Sequence, residues 1–273
     1  MAVREGTAGR PLLAASSGFA VGLLGGLIGL GGAEFRLPLL VAVFGCAIRR
    51  AVTLNLLVSF VTVVSAAGIR LTVGQPPSLP GDTIAIVASM SGGGMMGAYL
   101  GSRWVARLPE TGLRRLIRGL LLLIGGLLLV ESGLAWDPSG LPFGLPARVT
   151  FGLAAGGLIG VASTLLGVAG GELIIPTLVF AFGADVKSAG TLSLLISIPT
   201  LLIGLWRHHA HGLGELRDDL TGLVVPMAAG SVGGAVAGAA LLIYVSGPLL
   251  KAMLGVILIG SALKIFEAKR GPA

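Results

Sequence analysis

GLLGGLIGLGGAEFRLPLL, residues 22–40, returns as GVASTLLGVAGGELIIPTL at residues 160–178. The offset of 138 residues holds from Gly18 to Ser59, which pair with Gly156 to Ser197. Of the 42 aligned pairs 17 are identical. Composition alone would give roughly four or five, so the chain carries an internal duplication. The matched pairs include Glu34 with Glu172 and Pro38 with Pro176. Each carboxylate follows a glycine-rich break inside an otherwise apolar segment. Charge is expensive there, and a charge placed twice in broken helices of duplicated halves points to a transporter.

Composition agrees. The chain is 54% hydrophobic and 11% charged, with a mean hydropathy of +0.96; a soluble domain carries about 25% charge. Glycine, at 46 of 273 residues, is too frequent for ordinary helices in water but suits close helix packing in lipid. The net charge of +7 is not a nucleic-acid footprint, because the basic residues sit in short loops between apolar runs. The lone Cys46 excludes a disulfide framework and a cysteine-rich metal site. Arg4 and Arg10 precede an apolar run, as in a signal peptide. That run continues into the first repeat without a convincing cleavage site and reads as mature sequence.

Apolar runs near 51–69, 83–105, 115–135, 187–206, 220–243 and 248–266 each approach the ~20 residues a span needs. In each repeat core a glycine-rich stretch (18–33, 152–171) leads to a break and then to a short apolar segment (35–45, 173–183). At about 1.5 Å per residue the short segment cannot cross a bilayer. Gly31, Gly32 and Ala33, and then Ala169, Gly170 and Gly171, supply the reversal. Each core is expected to be a hairpin of broken helices, either re-entrant or formed from two tilted spans. A hairpin begins and ends on one side and three spans follow it, so the second half is expected to be inverted. The fold class is therefore an all-α integral membrane protein of inverted repeats, each a broken-helix hairpin plus three transmembrane helices. The first repeat covers 1–135, an external linker 136–147 and the second repeat 148–273.

Basic residues set the orientation. With the N-terminus inside, the cytoplasmic segments hold 14 of them, including Arg4, Arg49, Arg50 and the run from Arg103 to Arg118. The outer segments hold 4, namely Arg70, Arg148, Lys187 and Lys251, with Arg36 uncounted inside the first hairpin. Both termini are expected in the cytoplasm. The run from Arg103 to Arg118 reads as a topology determinant and lipid-headgroup contact.

Inverted halves would bring the hairpin tips together near the bilayer midplane. Helix N-termini carry unpaired N–H groups and about half a positive charge each, so two of them make an anion site. The candidate substrate-binding residues are Gly32, Ala33, Gly170 and Gly171 at the breaks and Arg36, whose fork of donors suits a sulfonate, phosphate or carboxylate. The following spans add Thr53 with Thr191, Asn55 with Ser193, and Ser59 with Ser197. Plainer readings stand beside these. The glycines could serve only helix packing, Glu34 and Arg36 could neutralise each other, and the hydroxyls could bond carbonyls one turn back. Glu172 has no equivalent arginine, because position 174 is Ile where the first repeat has Arg36, so a pairing role is weaker there. A buried carboxylate without a partner can carry a proton, which makes Glu34 and Glu172 the candidate proton-coupling residues.

His208, His209 and His211 cluster at a span edge. Adjacent histidines do not easily share one ion, so the cluster reads as a solvated loop, and no metal or cofactor is expected. An intramembrane enzyme is disfavoured, since no Ser-His, paired-Asp or zinc-ligand arrangement falls within the spans. An uncoupled small-anion channel is the nearest alternative to a transporter. The oligomeric state is left open.

The two quoted stretches, with the downstream TLNLLVS (53–59) and TLSLLIS (191–197), resemble the TauE/SafE sulfite exporter family of membrane transporters over essentially the whole chain. The resemblance implies movement of sulfite, organosulfonates or related sulfur-containing anions across the bacterial plasma membrane. The first repeat departs from the usual glycine run at Ala33, Glu34 and Arg36, and the added arginine bears on charge preference.

Overall fold

The structure, a computed structural model, describes residues 10–46, 48–73, 77, 82–104, 144–166, 168–209 and 220–267, with residues 119, 122, 125–126, 129–130, 140 and 142 between them. The described elements are all helical: α1 Arg10–Ile28, α2 Ala33–Ala42, α3 Ile48–Val73, α4 Thr83–Trp104, α5 Leu145–Leu166, α6 Gly171–Phe182, α7 Val186–His209, α8 Val225–Leu241 and α9 Gly247–Glu267. A π-helical turn at Leu220–Val224 leads into α8. Pro226 in the first turn of α8 cannot donate to the preceding turn, which accounts for the wider winding. Most of the expected span over 115–135 and of the basic 103–118 stretch falls outside the described residues, as does His211.

Among the described residues six helices are long and apolar enough to cross a bilayer: Pro11–Ile28, Arg50–Thr72, Thr83–Gly101, Leu145–Thr164, Val186–Trp206 and Gly222–Tyr244. Leu12, Ile84, Leu158 and Tyr244 point outward, where a water-soluble protein would place polar groups. The chain is an all-α, multi-pass membrane protein. Its hairpins are asymmetric. The leading arms, α1 and α5, have 19 and 22 residues and can span. The return arms, α2 and α6, have 10 and 12, or about 15 and 18 Å, and cannot.

Ala14 of α1, Leu40 of α2, Ala51 of α3 and Leu223 before α8 share one apolar cluster, so the first hairpin starts and ends at one edge of the bundle. In the second half Arg148, near the start of α5, donates to the Phe182 carbonyl at the end of α6 (2.9 Å), which joins the two ends of that hairpin as well. α5 begins at Leu145, inside the stretch read from sequence as linker.

Glycine decides the packing. Gly18, Gly22 and Gly26 of α1 lie on the main chain of Met227, Ser231 and Ala235 in α8, while Gly234 and Gly238 of α8 lie on Phe19 and Leu23. The numbers rise together, so α1 and α8 are parallel. Gly93 and Gly97 of α4 meet Leu153 and Gly157 of α5 in the same way, and Gly156 and Gly160 meet Met90 and Gly94. Without Cβ atoms the backbones approach closely, as small-residue stripes allow in lipid. Each zipper joins a helix of the first half to one of the second. Between the zippers α3 crosses α7: Arg70 near the end of α3 reaches Thr191 near the start of α7 (3.3 Å), and Leu56 lies beside Gly204 near the end of α7. These two helices, equivalent in the repeat, run antiparallel.

Candidate functional site

The two breaks meet inside the bundle. Gly32 (φ 73°) and Gly170 (φ 78°) stand at the N-caps of α2 and α6 in the left-handed conformation that only glycine adopts freely. A Cβ at Gly31 would lie 3.6 Å from that of Ala169, and Gly171 stands against Leu30. Breaking a helix leaves carbonyls without amide partners, and hydroxyls of α7 cover them. Ser193 Oγ lies 2.6 Å from the Gly29 carbonyl and 2.9 Å from that of Gly190, and Ser197 Oγ donates to the Ala169 carbonyl (2.9 Å). Asn55 Nδ2 of α3 donates to the Ala33 carbonyl (3.0 Å).

Arg36, in the second turn of α2, is fully buried. Its Nη1 donates to Ser59 Oγ (2.9 Å) and Asn55 Oδ1 (3.5 Å). Nη2 points to the Gly31 carbonyl (3.4 Å), Thr62 Oγ1 (3.3 Å) and Ser231 Oγ (3.3 Å). All five acceptors are neutral, and Nε has no hydrogen-bond partner among the described residues. Most of these contacts are longer than the 2.7–2.9 Å typical of charge-assisted bonds. Among the described residues the guanidinium therefore sits in a loose polar cage of neutral groups. The Glu34 side chain lies outside the described residues.

The structure brings Arg36 of α2 together with Asn55 and Ser59 of α3, and adds Thr62 and Ser231. Thr62 pairs with Thr200 at the same offset of 138, three residues past the aligned stretch, so its signal was present in the chain. Ser231 reaches the cage from α8 and had none. Ser193 and Ser197 cover the breaks. Thr191 Oγ1 donates one turn back to the Lys187 carbonyl (3.2 Å) while accepting from Arg70. Thr53 is half-buried on α3. Glu172, in the first turn of α6, is 5% exposed, and its carboxylate has no ion pair or hydrogen bond among the described residues.

Arg70, read from sequence as a charge of an outer segment, is a buried residue of α3. It donates through Nε to the Gly26 carbonyl (3.0 Å) and through Nη2 to that of Leu27 (2.7 Å). These are last-turn carbonyls of α1, at the negative end of the helix dipole. Arg148 lies within α5, with its guanidinium 5.7 Å from the Phe182 ring centre. Neither reports on loop charge.

This arrangement can hold an anion: an enclosed cation, whose partners among the described residues are neutral, lies beside two helix N-termini in a bundle built from repeated halves. The model of the sulfite exporter TauE/SafE family matches residues 2–128 and 151–272, which takes in both repeats with their breaks and the cage around Arg36. No curated protein and no solved structure matches the chain. With nearly its whole length covered by that match, the chain belongs to the TauE/SafE sulfite exporter family of membrane transporters.

Proposed function

We propose that the protein is a secondary transporter that moves a small sulfur-containing anion, such as sulfite or an organosulfonate, across the bacterial inner membrane by alternating access with a coupled proton. The observation that carries this reading is Arg36. Its partners among the described residues are neutral oxygens at the junction of the breaks, and a buried cation is costly unless a counter-charge arrives. An oxyanion supplies that charge and can take over the long contacts to Thr62, Ser231 and the Gly31 carbonyl. The hydroxyl of Ser59, the amide of Asn55 and their partners replace part of its hydration shell. Glu172 is the proposed proton carrier, with Glu34 its counterpart.

The transport cycle requires two related halves. The proposed repeats cover 1–135 and 148–273, joined through 136–147 on the external side, with both termini cytoplasmic. Inversion of the halves is supported by the antiparallel crossing of the equivalent helices α3 and α7. Such halves exchange roles as the cycle proceeds.

The test is flux of a panel of anions in proteoliposomes, with and without a pH gradient, for the wild type and Arg36→Gln. Saturable sulfite or sulfonate flux is expected in the wild type. Losing one charge-assisted contact removes about 1.5–3 kcal/mol, so the variant should bind one to two decades more weakly. Absence of anion flux in the wild type sinks the transport reading. Unchanged affinity in Arg36→Gln would remove Arg36 from the site, and flux indifferent to pH would leave an uncoupled channel.

A further inference from the structure

The second half contains a counterpart of the Arg36 cage that no side chain fills. At the repeat offset, Ile174 stands where Arg36 does, Ser197 where Ser59 does, Thr200 where Thr62 does and Ala169 where Gly31 does. Ile174, Thr200 and Ala169 line a cavity closed by Gly94, Ile196 and Ser163. It has room for about one oxygen-sized group. In the first half this space is occupied by guanidinium; in the second it is left open.

Ser163 gives the cavity its chemistry. Its side chain is 4% exposed, and Oγ has no hydrogen-bond partner among the described residues. A buried hydroxyl left unsatisfied is costly. Oγ lies against Gly170, where any Cβ would overlap it. Gly170 is the N-cap of α6, and the first N–H groups of a helix lack partners within it and carry partial positive charge. Thr200 Oγ1 directs its own proton to the Ile196 carbonyl (3.2 Å), which leaves it able only to accept. The cavity thus offers a free donor and a free acceptor next to a positive helix end.

We propose that this cavity is a subsite for one oxygen of the transported oxyanion, with Ser163 as the donor that contacts it. The proposal rests on the anion-transport reading. A protonated oxygen satisfies both hydroxyls at once, accepting from Ser163 and donating to Thr200. The two halves then contact the anion differently, through a full charge at Arg36 and through a neutral hydroxyl at Ser163.

Sulfite binding to the purified full-length protein tests it, in the wild type, Ser163→Ala and Arg36→Gln. Ser163→Ala should raise the dissociation constant about tenfold, the loss of one hydrogen bond to a charged group, with an unchanged melting temperature. If Arg36→Gln weakens binding and a well-folded Ser163→Ala does not, the transport reading stands and the subsite falls. If the wild type binds no oxyanion, both fall. A wild-type structure at high resolution in sulfite decides the matter should Ser163→Ala misfold. An oxyanion oxygen at hydrogen-bond distance from Ser163 Oγ supports the subsite; water alone there, with the anion elsewhere, overturns it.

Discussion

Arg36 and Arg70 are both buried arginines without a described carboxylate partner, and what surrounds each sets its work. Arg70 is compensated by the carbonyls that end α1, a fixed structural partner. Among the described residues Arg36 has hydroxyls, an amide and one carbonyl, an arrangement that suits the proposed mobile counter-ion. Glu172 is the complementary case, a buried carboxylate without a described partner. A bound anion nearby favours the carboxyl's neutral form, and by reciprocity protonation tightens anion binding. Glu172→Gln, which mimics the protonated form, should keep anion binding but lose its dependence on pH. Accumulation driven by a pH gradient should vanish while exchange persists. Binding and flux recorded over a pH series check this, and full proton-driven accumulation in the variant would refute the assignment. Glu172 was legible in the sequence as a repeated charge in an apolar run. Arg70 was misread because it sits at the end of such a run, yet α3 continues to Val73.

At the scale of the elements, the breaks could be read from glycine and proline, because a reversal needs backbone freedom and 10–12 apolar residues cannot span. The partners of the helices could not. The glycines of α1, α4, α5 and α8 say that something packs closely on them, and the sequence does not say what. That α1 lies on α8 and α4 on α5 depends on where the chain places them in space. Position-specific substitutions separate packing from mere composition. A Cβ at Gly97 would overlap the carbonyl of Gly157, whereas at Gly68 of α3 nothing lies within 4 Å. Gly97→Ala should destabilise the protein by about 1–3 kcal/mol, the range for overpacking. Gly68→Ala should be neutral or stabilise by about 0.5–1 kcal/mol, since alanine loses less entropy in a helix. Thermal unfolding in detergent measures both, and equal effects would show that the zipper is not tight.

At the scale of the whole molecule, the duplication is visible in the chain, but the halves of the sequence are not separate packing units. Each glycine zipper takes one helix from either half, so α1 covers its small-residue face on α8 and α5 covers its own on α4. The cage around Arg36 crosses the same boundary, drawing Ser231 from α8, and Arg70 ties α3 to α7. In the proposed alternating-access cycle the bodies that move would then be the intertwined pairs rather than residues 1–135 and 148–273, with rocking where α3 crosses α7 and the breaks touch. Neither half can satisfy its glycine faces by itself, because the lipid that would replace the partner helix packs poorly against a groove cut for backbone. Residues 1–135 or 136–273 expressed alone should therefore aggregate or be degraded, while co-expression of the two should restore a single folded species that transports anions. Membrane abundance and size-exclusion profiles of the separate and combined halves provide the measurement. A half that remains monodisperse by itself would mean that the zippers between the halves are dispensable, and that each repeat is its own rigid body.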